Sequence, residues 1–239
     1  MSEALKPFWR YFGGKYRAAP KYPAPVHDTI IEPFAGAAGY SLRYPERKVI
    51  LVEKYAVVAE VWRYLINVKS SEIMRIPLVE HVDDLPSWVP DGGRFLFGFC
   101  LNDAKVEPSK QLSSGRKQLR LMGRKFEGWS EQRRARTAAH VEKIRHWKII
   151  EGDYTEAPGI KATWYVDPPY QTTGIHYKLS SSGIDFSSLG EWCRGLNGQV
   201  MVCETSGASW LPFEPLASIK SNGMYGRDGK SHEVIWRNG

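Results

Sequence analysis

The sequence predicts a doubly wound α/β fold, in which helices cover both faces of a largely parallel sheet. Seven short runs rich in β-branched and aromatic residues recur along the chain, with turn residues between them. Nearly a hundred residues separate the second run from the third, too many for one crossover, so this stretch must contain an insertion. With 239 residues, of which 42% are hydrophobic, the chain suits one domain with a packed core and a small insertion.

The predicted strands come in the following order: Thr29–Ile31, Val49–Val52, Lys148–Ile150, Thr163–Val166, Gln199–Cys203, Ala217–Lys220 and Val234–Trp236. A helix should follow the second strand, because Val57, Val61 and Leu65 recur at helical spacing. A second helix should begin after Ser130, a residue type that caps helix N-termini. We expect residues 1–67 and 147–239 to form the catalytic domain and residues 68–146 to form a small, mainly helical insertion.

Basic charge is concentrated in this insertion. Residues 105–148 carry 13 Lys and Arg against 4 Glu, whereas the whole chain has a net charge of +7. A basic excess confined to one segment is typical of an element that binds a polyanion, although a solvated helical surface would have a similar composition. We predict DNA contacts for eight of its residues: Lys110, Arg116, Lys117, Arg120, Arg124, Lys125, Arg133 and Arg134.

Other function classes are disfavoured. The three cysteines form no Cys-x-x-Cys pair and the six histidines show no metal-ligand spacing, so we expect neither a disulfide framework nor a metal site. Cys100 is expected to pack as a small hydrophobic residue. The N-terminus has no signal-peptide pattern and no apolar stretch is long enough for a membrane span, so the expected compartment is the cytoplasm. A monomer or weak dimer is expected.

The segment Asp167-Pro168-Pro169-Tyr170 follows a predicted strand, at the edge where open parallel sheets bind ligands. Methylating an exocyclic amino nitrogen requires acceptors for its two N–H groups, since that nitrogen is conjugated with the ring and is a poor nucleophile. The Asp167 carboxylate supplies one acceptor and the Pro168 carbonyl a second. Tyr170 offers a ring on which an extruded base can stack. A strand end followed by a proline turn is the structural alternative.

A glycine-rich turn and a strand-terminal acid form a second pattern. The strand Thr29–Ile31 runs through Glu32 into Pro33-Phe34-Ala35-Gly36 and then Gly39, whose glycines let the backbone approach a ligand, and a helix is expected next. About twenty residues later, Glu53 ends a strand at the position from which a carboxylate accepts hydrogen bonds from ribose hydroxyls.

Two further segments complete the set. Tyr11-Phe12-Gly13-Gly14-Lys15 precedes the first strand, with paired glycines for a bend and a lysine suited to a carboxylate. Glu151-Gly152-Asp153-Tyr154 follows the third strand, where an acid and a ring are suited to a nucleobase.

In this order, Phe-Gly-Gly-Lys, Pro-Phe-Ala-Gly, a strand-terminal acid, a basic insertion, Gly-Asp-Tyr and Asp-Pro-Pro-Tyr, the motifs resemble those of the Dam-type DNA adenine-N6 methyltransferases. The resemblance covers nearly the whole chain and implies a Rossmann-like, seven-stranded methyltransferase sheet and the cofactor S-adenosylmethionine. It implies a catalytic role for Asp167, Pro168 and Tyr170. It also implies a cofactor site made of Tyr11, Phe12, Gly14, Lys15, Phe34, Gly36, Glu53, Asp153, Tyr154 and Asp167.

The resemblance also sets the range of expected functions. It implies methyl transfer to a flipped adenine in double-stranded DNA, by an enzyme of a bacterium or a phage. The insertion departs from family members that read GATC, because their Arg-Tyr-Asn segment is missing, so no target sequence is implied. Two alternatives remain open: a cytosine-N4 or RNA base methyltransferase, and a catalytically silent DNA-binding relative.

Overall fold

A computed structural model describes residues 3–102, 104–122, 128–174, 178, 180–220 and 230–238, with the backbone alone at 120, 219, 220, 230 and 231. The strands of this part of the chain are β1 Thr29–Glu32, β2 Lys48–Glu53, β3 Lys148–Glu151, β4 Ala162–Val166, β5 Gly198–Thr205, β6 Glu214–Lys220 and β7 Lys230–Arg237. The helices are α1 Ala56–Asn67, α2 Ser70–Arg75, α3 Asp91–Leu101, α4 Ser114–Leu121, α5 Glu131–Val141 and α6 Phe186–Gly195. Each predicted strand lies within one of the observed strands.

The strands form one mixed, mostly parallel sheet in the order β3-β2-β1-β4-β5-β7-β6. The first five strands of that order are parallel to one another, and β7 is antiparallel to both β5 and β6. The chain reverses its direction of travel across the sheet between β1 and β4. In open α/β sheets, that switch point opens a crevice at the carboxyl ends of the strands.

Helices cover both faces of this sheet. Successive side chains along a strand point to opposite faces. Ile30 accordingly belongs to one buried cluster, together with residues of α1, α3 and α5, whereas Ile31 belongs to a second cluster with residues of α6. This α/β arrangement is compatible with a Rossmann-like fold, and the predicted helix after the second strand is confirmed as α1.

The stretch between α1 and β3 contains α2 to α5 within the described residues. A Cβ at Gly92 would lie 2.6 Å from the Glu60 carbonyl oxygen, so glycine lets the start of α3 approach the backbone of α1. Ser130 caps α5 as predicted, because its side chain accepts a hydrogen bond from the Arg133 backbone N–H at 3.2 Å. Side chains from this stretch share their core with α1. Its assignment as a recognition subdomain remains a prediction.

The prediction of a helix after the glycine-rich turn is wrong. In its place the described residues between this turn and β2 form a single 3-10 turn, Ser41–Arg43. Both Gly36 and Ala38 have positive φ angles, of 44° and 48°, which no α-helix accommodates. The other residues between Gly39 and the start of β2 at Lys48 form turns and irregular structure.

Candidate active site

A cavity of about 540 Å³ opens at the switch point between β1 and β4. Its wall includes every residue predicted for the cofactor, from segments that are far apart in the sequence. These segments meet because β1, β2, β3 and β4 are parallel, so their carboxyl ends share one edge of the sheet. The volume lies within the range of pockets that hold small molecules and cofactors.

The glycine-rich turn forms one wall. The Gly36 backbone N–H donates to Oε2 of Glu53 at 2.9 Å, and the Trp62 indole N–H donates to the Gly36 carbonyl at 2.8 Å. Oε1 of Glu53 accepts from the Tyr55 backbone N–H at 2.9 Å. Burial raises the pKa of Glu53, and these backbone hydrogen bonds oppose that rise. Each carboxylate oxygen still has a lone pair available for a ligand.

The N-terminal segment packs directly on this turn. A Cβ at Gly39 would lie 2.7 Å from the Tyr16 nitrogen, so only glycine allows the two backbones to approach this closely. Lys15 is 9% exposed, and its ammonium donates to the Gly13 carbonyl at 3.2 Å. Glycine at position 39 is therefore needed for the packing of the two segments, and it also lines the cavity.

A third wall combines two rings with an ion pair. The rings of Phe34 and Tyr154 stack with their centroids 5.6 Å apart. Beside them, the ammonium of Lys54 lies 2.7 Å from Oδ2 of Asp153. An apolar surface next to a hydrogen-bond acceptor is suited to a planar heterocycle with an amino group.

Asp167 follows β4 and reaches the cavity from the sheet. Its Oδ1 atom is buried and accepts no hydrogen bond from the described residues. The ammonium of Lys15 is 3.6 Å away, an ion-pair distance that is longer than a hydrogen bond. Burial raises the pKa of Asp167 to about 7, although Lys15 opposes this rise. A buried acceptor without a donor is costly, and such atoms are expected where a ligand supplies the donor.

Tyr170 and Pro168 lie beside Asp167 but outside the cavity wall, to which this segment contributes Asp167 and Pro169. Pro168 is buried and Tyr170 half-buried. The ammonium of Lys15 lies 4.3 Å from the centroid of the Tyr170 ring. A base that stacks on Tyr170 must therefore use the opposite face of the ring.

Glu32, to which the sequence patterns assign no role, also lines the cavity. This side chain is 2% exposed, and its Oε1 accepts from the Ser41 backbone N–H at 2.7 Å. Burial raises the pKa of Glu32 to about 8. Like Glu53, this residue is an acid at the carboxyl end of a parallel strand, and that shared position is the signal in the sequence that would have found it.

The predicted DNA contacts have different outcomes. Arg133 is wrong as a phosphate ligand, because its side chain is 2% exposed and its guanidinium donates to the Phe8 carbonyl at 3.2 Å. Arg134 is half-buried and donates to the Ile76 carbonyl at 3.0 Å. Lys110 and Lys117 are exposed, and Arg116 is half-buried. The side chain of Arg120, together with Arg124 and Lys125, lies outside the described residues.

The His, Cys, Asp and Glu side chains of the described residues form neither a metal site nor a disulfide. The described residues contain no grouping of three or more His, Cys, Asp or Glu that is suited to a metal ion. Cys100, Cys193 and Cys203 are all buried, which confirms that Cys100 packs inside the protein. None of the helices in the described part of the chain has the length and apolar character needed to span a bilayer.

No protein-family model matches the chain, and no curated protein sequence matches it significantly.

Proposed function

We propose that this protein is a DNA methyltransferase that transfers a methyl group from S-adenosylmethionine to N6 of a flipped adenine in duplex DNA. The observation that carries the proposal is Oδ1 of Asp167, a buried acceptor without a hydrogen-bond donor among the described residues, next to a cavity of cofactor size. The Dam-type resemblance adds the order of the motifs along the chain. The seven-stranded sheet agrees with the fold that this resemblance implies.

The residues around the cavity fit the cofactor. Glu53 would accept hydrogen bonds from the ribose hydroxyls, and Asp153 with the stacked rings of Phe34 and Tyr154 would hold the adenine. Lys15, a buried cation at the other side of the site, would pair with the methionine carboxylate. When bound, the cofactor supplies an electrophilic methyl group on a sulfonium sulfur.

The chain's own residues would prepare the amino group for attack. The Asp167 carboxylate would accept one N–H of the target amine at Oδ1, the buried atom without a donor among the described residues, and the Pro168 carbonyl would accept the other. Both contacts increase electron density on the nitrogen and favour a tetrahedral geometry as its new bond forms. The nitrogen must lose one proton in the reaction, and Asp167 in its ionised form would take that proton. Tyr170 would hold the ring of the base in place.

The proposal is tested by incubating the purified protein with tritiated S-adenosylmethionine and mixed-sequence duplex DNA, followed by nucleoside chromatography. We expect the label in N6-methyldeoxyadenosine. Parallel reactions with RNA, and separation of N4-methyldeoxycytidine from the adenine product, distinguish the alternative substrates. Absence of label from every nucleic acid, with cofactor binding intact in a titration, would contradict the transferase and favour a silent DNA-binding relative.

Lys110 and Lys117 are expected to contact DNA phosphates, since both are exposed within the basic segment. Replacing both by Gln should lower the affinity for duplex DNA without changing the preferred sequence. Each lost phosphate contact should reduce the slope of log affinity against log salt concentration by about one. Fluorescence anisotropy at several salt concentrations measures both quantities.

Lys161 supplies the matched control for this double variant. It is also exposed, but it precedes β4 and so lies at the edge of the sheet opposite the cavity. Lys161→Gln should leave the salt slope unchanged. An equal reduction for each charge removed in the two variants would mean that net charge alone, and no surface near residues 110–117, determines DNA binding.

A further inference from the structure

Glu233 on β7 is a buried acid beside the candidate active site, with a side chain only 6% exposed. Its Oε2 atom accepts hydrogen bonds from the Tyr170 hydroxyl at 2.6 Å and the Tyr22 hydroxyl at 3.3 Å. The ammonium of Lys15 lies 3.9 Å from the same oxygen. Burying a carboxylate costs solvation free energy, and the two hydrogen bonds and the nearby ammonium compensate for that cost.

The contact with Tyr170 is the shortest of the three. A phenol that donates to a carboxylate forms a strong, charge-assisted hydrogen bond, and 2.6 Å is the distance such bonds adopt. Burial, followed by the charge of Asp167, raises the pKa of Tyr170 well above its usual value. The hydroxyl therefore stays protonated, and remains a donor, at neutral pH.

Two acids on neighbouring strands hold Tyr170, the last residue of the catalytic segment, and Gln171, which follows it. Glu204 on β5 is fully buried and accepts from the Gln171 backbone N–H at 2.7 Å, while Glu233 holds the side chain of Tyr170. Thr205, next to Glu204, pairs with Glu233 across the β5–β7 ladder, so the two acids lie at the same end of these strands and their side chains leave opposite faces of the sheet. The backbone after Tyr170 and the tip of its ring are thus held from the two faces of one sheet edge.

We propose that Glu233 is a positioning residue for methyl transfer, which holds the Tyr170 ring through its hydroxyl in the orientation on which the target base stacks. This inference rests on the proposed function. It assigns a role to a residue of β7, a strand that contains none of the motifs on which the proposed function is based. A ring bonded at its hydroxyl is restricted in both side-chain torsions. Misplacement of a substrate by about 1 Å can reduce a reaction rate about 100-fold, so the orientation of the ring should affect catalysis directly.

The test uses Glu233→Ala, Glu233→Gln, Tyr170→Phe and the double variant Tyr170→Phe/Glu233→Ala. Single-turnover methylation rates are measured with saturating S-adenosylmethionine and DNA, and cofactor affinity and thermal unfolding are measured for each protein. We expect Glu233→Ala and Tyr170→Phe each to reduce the rate between about 10-fold and 100-fold. Glu233→Gln keeps a carbonyl acceptor for the hydroxyl and should stay within about threefold of the wild type.

The double variant should be no slower than the slower single variant, because both changes remove the same hydrogen bond. Tyr22→Phe is the matched control: it removes a phenol hydroxyl from the same carboxylate oxygen, at a residue outside the catalytic segment, and should leave the rate within about twofold. A Tyr22→Phe loss as large as that of Tyr170→Phe would show that Glu233 acts through general packing, which overturns the inference.

Additive losses in the double variant would also overturn it, as would full activity of Glu233→Ala. If Glu233→Ala does not fold, the cycle is made with Glu233→Leu, and wild-type activity of Glu233→Gln together with a loss in Tyr170→Phe supports the same positioning role. An inactive wild-type protein would instead contradict the proposed function. The two failures are therefore distinguishable.

Discussion

Replacing Asp167 by Asn is expected to reduce the methylation rate by about a thousandfold at pH 8 when S-adenosylmethionine is saturating. The amide has nearly the same size as the carboxyl group but cannot take the proton that the amine must lose. The Asn side chain can present either its carbonyl oxygen or its NH2 group to the substrate. The NH2 group is itself a donor and cannot accept an N–H of the amine. Removing a general base costs a factor of about 10² to 10⁴, so the expected loss lies within the range for that role.

The same variant is expected to be more stable than the wild type at pH 8. The folded state raises the pKa of Asp167 from 3.8 to about 7, mainly by burial. The folded protein therefore binds this proton more tightly than the unfolded chain does, and stability falls as the pH rises from about 4 to 7. Above pH 7 the buried charge lowers the free energy of unfolding by an amount on the order of 2–4 kcal/mol, which Asn removes.

Urea unfolding of both proteins at pH 5.5 and pH 8 measures this effect, and the stability difference should grow with pH. Asp185→Asn is the matched control, since Asp185 lines the same cavity but accepts hydrogen bonds from the Ser187 and Ser188 backbone N–H groups. Hydrogen bonds with Ser188 lower the pKa of Asp185, so its contribution to stability has the opposite sign and Asn should destabilise at pH 8. A destabilised Asp167→Asn protein at pH 8 would show that this carboxylate is a structural anchor.

The convergence of the predicted site residues follows from one property of the fold. Gly36, Glu53, Asp153 and Asp167 each lie just beyond or at the end of a parallel strand, so recognising the strands was enough to predict that these residues meet. Lys15 precedes the first strand and was placed by the family resemblance. Its burial beside Gly39 depends on a close approach of two loops that no periodicity reveals.

The wrong prediction for Arg133 has an equally specific cause. Arg133 was assigned to DNA because it belongs to the basic segment, and basic side chains are expected at the surface of a helix. In the structure Arg133, Thr137 and Val141, spaced by four, are all buried along one stripe. A positive charge does not require exposure, because a long arginine side chain can bury its methylene groups and donate its guanidinium hydrogen bond to a backbone carbonyl.

The contact between Tyr170 and Glu233 cannot be predicted from sequence patterns. The residues are 63 positions apart and meet because β7 pairs antiparallel with β5, beside the parallel part of the sheet. Strand order is a property of the whole chain, and the pattern of each strand is the same whichever neighbour it pairs with. The acids that hold the catalytic segment could therefore be found only in the folded protein.

The pH dependence of methylation is expected to report the ionisation of Asp167. Since the carboxylate is the active form, log kcat/KM should rise with pH, level off above about pH 7 and follow the raised pKa of this group. Lys15 lowers the pKa of Asp167, whereas the charges of Glu233 and Glu204 raise it. Because these groups interact, the midpoint belongs to the cluster as a whole.

Lys15→Gln should move that midpoint upward by about one pH unit, because loss of a cation 3.6 Å from Oδ1 leaves burial and the two acids unopposed. Lys54→Gln is the control: it removes a cation from the same cavity wall, but one that pairs with Asp153, and should leave the midpoint in place. Both profiles are measured with saturating S-adenosylmethionine, so that weaker cofactor binding does not disguise the shift. An unchanged midpoint in Lys15→Gln would mean that the titrating group is not Asp167. The acid would then serve as a fixed acceptor, and the proton of the amine would leave by way of solvent.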